Sequence, residues 1–105
     1  MYADASALVK LVVDEPESAA LRRFLDSARP RLATSELAIV EVLRAARLAA
    51  AGSDGVRRAR QELDATDLVD VDRDLLETAV SWTSAQVRAL DAIHLASALR
   101  LGARP

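Results

Sequence analysis

No cysteine occurs among the 105 residues, which excludes disulfide stapling, thiolate metal sites and cysteine nucleophiles. Aromatic side chains are nearly as scarce, one each of Phe, Tyr and Trp. Phe24 and Trp82 therefore read as single core residues on helical stretches rather than as platforms for stacking bases. The chain lacks any run of about 18 apolar residues that would span a membrane, and Met1-Tyr2-Ala3-Asp4 opens without the basic and apolar segments of a signal peptide. A cytoplasmic protein without membrane contact is expected. An excess of charge of either sign is also missing: a net charge of −2 excludes a protein that coats nucleic acid by bulk electrostatics, while a local basic strip could still touch phosphates. Lysine occurs once, as Lys10, beside 13 arginines, a ratio that genomic composition explains as readily as phosphate recognition. Neither a Gly-x-Gly-x-x-Gly or phosphate-loop signature nor a Gly-x-Ser-x-Gly elbow is present, so nucleotide-binding and serine-hydrolase readings lack support.

The sequence is rich in alanine and leucine, 22 and 16 residues, a composition suited to helices packed through small contact residues. Its length fits a single domain, residues 1–105. Met1 to Ala5 reads as a short strand, and Ser6 as the N-cap of a helix through Val13. Asp14-Glu15-Pro16-Glu17 starts a second helix carrying Leu21, Phe24, Leu25 and Ala28, which Arg29-Pro30 breaks. A strand is expected over Arg31 to Thr34, then a long helix capped by Ser35 and stopped by Gly52 after about Ala51. A helix from Asp54 to about Ala65, a strand over Asp67 to Val71, a helix from the Asp72 cap to about Trp82, and a last helix opened by Asp91 and ending at Gly102 complete the pattern. This alternation predicts an α/β fold, a parallel sheet flanked by helices. Ligands in such folds bind beyond the carboxyl ends of the strands.

Three carboxylates stand out on that scaffold. Asp4 ends an apolar first strand, where a charge is costly to bury alone, and it equally suits a turn or cap. Glu41 lies roughly opposite the face formed by Ile39, Val42, Leu43, Ala46, Ala49 and Ala50, and a pairing with Arg44 at i+3 would account for it. Asp91 points away from the stripe of His94, Ser97 and Arg100 and is either the helix cap or a metal ligand. His94, the only histidine, reads as a surface or packing residue.

Taken together, Tyr2-Ala3-Asp4-Ala5-Ser6-Ala7-Leu8-Val9-Lys10-Leu11, Glu41-Val42-Leu43-Arg44-Ala45 and Leu90-Asp91-Ala92-Ile93-His94-Leu95-Ala96-Ser97-Ala98 resemble three motifs of the PIN-domain ribonucleases, most of all the VapC toxins. The likeness runs over essentially the whole chain, and its last motif is the distinctive one. It implies a three-layer PIN-like fold and an acidic site in which Asp4, Glu41 and Asp91 hold Mg2+ or Mn2+, with Ser6 supporting Asp4. It also implies endonucleolytic cleavage of RNA, neutralisation by a VapB-type antitoxin whose tail covers the acidic pocket, and a homodimer. His94 matches a helix motif residue, not a ligand. The physics is compatible: two charges about 5 Å apart repel by roughly 3 kcal/mol at an effective dielectric of about 20, so three converging carboxylates need a cation or a proton. Arg44 and Arg47, one turn apart near the Glu41 side, are candidates for holding the RNA backbone, with plain solvation as the alternative.

One departure is visible. The family continues beyond Leu101-Gly102-Ala103 into an edge strand with a fourth acid, whereas this sequence stops at Pro105, so a C-terminally truncated domain without its last edge strand and with weaker metal affinity is expected. That departure motivates an alternative, a catalytically silent module that binds an antitoxin or other partner through its acidic pocket. A third reading, Asp4-Ala5-Ser6 as a phosphate-transfer nucleophile, is disfavoured because position 6 is not a second aspartate.

Overall fold

A computed structural model describes residues 1–49 and 52–102. Its helices are α1 (Ala5–Val12), α2 (Ser18–Ala28), α3 (Leu37–Leu48), α4 (Gly52–Asp64), α5 (Arg73–Val80) and α6 (Ala89–Gly102), with strands β1 (Ala33–Ser35) and β2 (Asp67–Val69). The two strands pair in parallel, Ala33 beside Asp67, Thr34 beside Leu68 and Ser35 beside Val69. The expected first strand is reduced to a single parallel bridge from Tyr2 to Ala33, closed by Ala3 N–H to the Ala33 carbonyl and Ala33 N–H to the Met1 carbonyl. Even so, Asp4 follows directly from the carboxyl end of that extended segment, the end at which α/β sheets place their ligands.

Local chemistry explains most element ends. Asp4, not Ser6, is the N-cap of α1: its backbone is extended and its carboxylate accepts from the Ala7 N–H. Arg29 terminates α2 in the left-handed region at φ 45°, donating its N–H to the Leu25 carbonyl, and Pro30 then prevents continuation. The Ser35 hydroxyl accepts from the Leu37 N–H, but Ser35 ends β1 and the N-cap of α3 is Glu36, which makes no capping side-chain hydrogen bond, so the expected cap lies one residue too early. Helix α3 ends at Leu48 with Ala49 as its cap, and the expected extension to Ala51, with Ala50 in the core, falls outside the described residues. Gly52 stands at the start of α4 rather than acting only as a stop. Asp72 caps α5 through the Leu75 N–H. Helix α5 ends at Val80, short of Trp82. The last helix begins two residues before Asp91, so Asp91 lies in its first turn and is not its cap.

The core is divided. Leu8 and Val12 of α1, Ala38, Val42 and Ala46 of α3, and Ala59 and Leu63 of α4 form one cluster with Ala3 and Ala5. Val69 of β2, Leu75 and Ala79 of α5, and Ala92 and Ala96 of α6 form the other. Strand β1 touches α3 and α6, so the sheet lies between the two groups of helices. Phe24 and Trp82 are 50% and 44% exposed. The expectation that both are core residues is therefore wrong: Phe24 lies on the exposed side of α2, and Trp82 lies in the turn beyond the end of α5.

Candidate functional site

Where the two clusters meet, Asp4, Ala5, Ser6, Glu41, Asp91 and His94 line one shallow cavity of about 160 Å3. A cavity of about 200 Å3 beside it shares Asp4 but is otherwise lined mainly by apolar side chains such as Leu8, Leu21 and Leu25, and we assign the chemistry to the smaller one, where three carboxylates meet.

Asp4 enters the cavity from the N-terminus of α1. Its Oδ1 accepts from the Ser6 hydroxyl at 2.7 Å and the Ala7 N–H at 3.0 Å. Burial pushes its carboxyl up, but the Ser6 and Ala7 donors, with His94 nearby, outweigh it and hold the group below the usual aspartate value. Asp4 is thus an ionised ligand candidate whose second oxygen is not needed for the cap.

Glu41 comes from the middle of α3 and is partly buried. Its Oε1 lies 2.6 Å from His94 Nε2. No Glu41–Arg44 ion pair forms among the described residues; the helix surface that carries Glu41 faces α6 at the seam, so the histidine replaces the expected i+3 partner. Asp91 is exposed and makes no side-chain hydrogen bond or ion pair among the described residues. It lines the cavity together with His94, which corrects the expectation that it points away from the histidine stripe. Positions i and i+3 are separated by about 60° around a helix and are surface neighbours.

His94 and Tyr2 are the residues that sequence reasoning undervalued. The His94 side chain is 13% exposed, against 28% for Glu41, so it is neither a surface residue nor a purely apolar packing group. Its Nδ1 lies 2.6 Å from the Tyr2 hydroxyl, and the two rings meet edge to face at 6.0 Å. Burial raises the Tyr2 phenol above its ordinary value, opposed by the hydroxyls of Thr34 and Ser97 and the Ser35 backbone. Thr34, Ser35 and Ser97 are themselves buried. A polar seam therefore runs behind the cavity between the two cores. The signal was present in the sequence, since Tyr2 stands two residues before Asp4 and His94 three residues after Asp91, but local periodicity cannot pair residues 92 positions apart.

All three carboxylates reach one cavity, yet among the described residues no three acidic or histidine side chains are gathered closely enough to hold a metal ion as they stand. The donor set fits a hard divalent cation in kind, carboxylate oxygens without sulfur. Asp4 and Asp91 are exposed, so their side chains have room to turn. Arg44 and Arg47 are exposed on α3 and do not line the cavity.

Residues 1–104 match the PIN domain family. Among curated proteins, the chain is 47% identical over 102 residues to Ribonuclease VapC46 of Mycobacterium tuberculosis, covering 97% of this chain and 76% of that protein. It is 38% identical over 105 residues to Ribonuclease VapC47, covering 96% and 76%, and 39% identical over 103 residues to Ribonuclease VapC35, covering 97% and 75%, both from the same species. No solved structure gives a significant match.

Proposed function

Because the chain belongs to the PIN-domain family and resembles VapC ribonucleases along nearly its whole length, we propose that it is a divalent-metal-dependent endoribonuclease toxin. The observation that carries this reading is the shared cavity of Asp4, Glu41 and Asp91, contributed by the cap of α1, by α3 and by α6. These carboxylates would hold Mg2+ or Mn2+. Such an ion, when bound, supplies neutralisation of charge on the phosphate and an acidified water as nucleophile. The chain's own part is to aim the donors. Ser6 fixes one oxygen of Asp4, the backbone of α1 keeps that carboxylate ionised, and Asp91, at the first turn of α6, is unpaired among the described residues. Arg44 and Arg47 are proposed to hold the RNA backbone from the exposed face of α3. A VapB-type antitoxin covering the acidic cavity, a homodimeric assembly and a cytoplasmic location complete the proposal. Among the described residues no helix is long and apolar enough to cross a membrane.

The loosely gathered carboxylates favour one competing reading, a silent module that uses the cavity only to bind a partner. Incubation of a panel of RNAs with Mn2+ separates the two. The nuclease reading expects cleavage by the wild-type chain and none by Asp91→Asn; RNAs left whole by both, or cut equally by both, would contradict it.

A further inference from the structure

We infer that Tyr2 and His94 form a hydrogen-bond relay that positions the Glu41 carboxylate at the cavity, an inference that rests on the acidic-site reading above. The direction of the relay follows from its chemistry. An ionised carboxylate only accepts, so His94 Nε2 must carry the proton it donates to Glu41 Oε1 across 2.6 Å. In a neutral ring Nδ1 is then the acceptor, and the Tyr2 O–H donates to it, also across 2.6 Å. Tyr2 therefore selects the tautomer that His94 needs to hold Glu41. Orientation of an acidic or imidazole group by a partner one bond further out is how ligand geometry is commonly fixed before an ion arrives.

The placement of the three residues makes this more than packing. Glu41 belongs to α3 in the first core, whereas His94 belongs to α6 in the second. Among the described residues their contact is the one side-chain hydrogen bond that joins α6 to α3. Tyr2 anchors the far side of the ring from the extended segment bridged to β1. One oxygen of Glu41 is thereby tied to the helix that carries Asp91, while its second oxygen makes no hydrogen bond or ion pair among the described residues and remains free to bind. His94 and Tyr2 are thus positioning residues, acting through Glu41 and not on substrate.

The test combines ring-nitrogen NMR with Mn2+ titration calorimetry and thermal unfolding. Because the chain has a single histidine, its two ring-nitrogen signals belong to His94 without assignment work. The relay expects the Nε2–H tautomer when the ring is neutral, with the Nδ1 signal displaced in Tyr2→Phe. It expects His94→Leu to weaken Mn2+ binding about 10- to 100-fold, and His94→Gln, whose amide can still donate to Glu41, to recover most of that loss. Tyr2→Phe is expected to weaken binding several-fold without a matching drop in unfolding temperature, and it decides the matter should His94→Leu fail to fold. An Nδ1–H tautomer, or Mn2+ affinity in Tyr2→Phe and His94→Leu equal to wild type while Asp91→Asn loses it, overturns the relay and leaves the acidic site standing. Wild-type protein that takes up no Mn2+ removes the acidic site and the relay together.

Discussion

The first core joins helices that all touch one another, α1 with α3 and α4 and α3 with α4, whereas α6 in the second packs mainly on α5, β1 and β2. Asp4 and Glu41 are carried by the mutually packed trio, and Asp91 and His94 by the helix outside it. The cavity is therefore only as well defined as the fit between two separately built halves. Interlocked helices fix two carboxylates relative to each other, but the third depends on how α6 is docked. That docking uses the β1 side of the helix, the His94 contacts with Tyr2 and Glu41, and the fork of Arg100, which donates to both oxygens of Asp72 at 2.9 and 3.0 Å.

The comparison can be broken most forcefully at Asp91. Asp91→Asn keeps the helix and removes one charged donor, and it is expected to lower RNA cleavage on the order of 100-fold or more with an unchanged unfolding temperature. The two cores can then be opened separately. Leu8 and Leu75 are almost completely buried, one in each core, and replacement of either by alanine is expected to cost about 2–5 kcal/mol. Hydrogen exchange should locate the damage differently. Leu75→Ala is expected to loosen α5 and α6 while α1 and α3 stay protected, and uniform loss of protection in both variants would show that the halves are one cooperative unit.

A smaller effect sharpens the first half. Asp4→Ala is expected to lose about 1 kcal/mol with the helix cap, whereas Asp4→Asn, still a good cap, should lose only a few tenths and yet abolish cleavage. Chemical denaturation and RNA cleavage measured on the same preparations check this. The fold holds the Asp4 carboxyl below its ordinary value of 3.8. Its stabilisation is therefore complete above that value and is lost as pH falls through the depressed one, so the advantage of wild type over Asp4→Asn should shrink in acid and vanish below the folded-state value. An advantage that grows in acid would contradict the sign. Smallest is the basic strip: Arg44→Gln with Arg47→Gln should reduce the salt dependence of RNA binding by about 0.7 for each phosphate contact removed, leaving Mn2+ affinity unchanged.

How much of this was legible in the sequence depended on the range of the interaction. Caps and breakers act locally: Asp72 and Pro30 marked their boundaries correctly, and Ser35 fell one residue short of the Glu36 cap of α3. The capping reading of Asp4 holds, whereas assigning the α1 cap to Ser6 was two residues late because serine is an equally good capping type, and only the fold shows its hydroxyl serving the aspartate instead. The α/β class followed from alternating strand and helix patterns, but the first strand shrank to a bridge because alternation cannot report pairing length. The three candidate carboxylates were visible through motif resemblance, not through periodicity, which assigned Glu41 to Arg44 and turned Asp91 away from His94. The Tyr2–His94–Glu41 relay spans most of the chain and both cores, so nothing local could have announced it. Phe24 and Trp82 were placed inside on hydrophobicity alone, but Phe24 falls on the outer side of α2 and α5 ends before Trp82, so both are partly exposed.

The most direct measurement is a crystal soaked with Mn2+ and examined for the anomalous signal of the metal. The account predicts an ion in the seam between the halves, at coordination distance of roughly 2 Å from carboxylate oxygens of Asp4 and Asp91 and from the Glu41 oxygen not bonded to His94, directly or through one water. An ion seated elsewhere, touching at most one of the three, would contradict it.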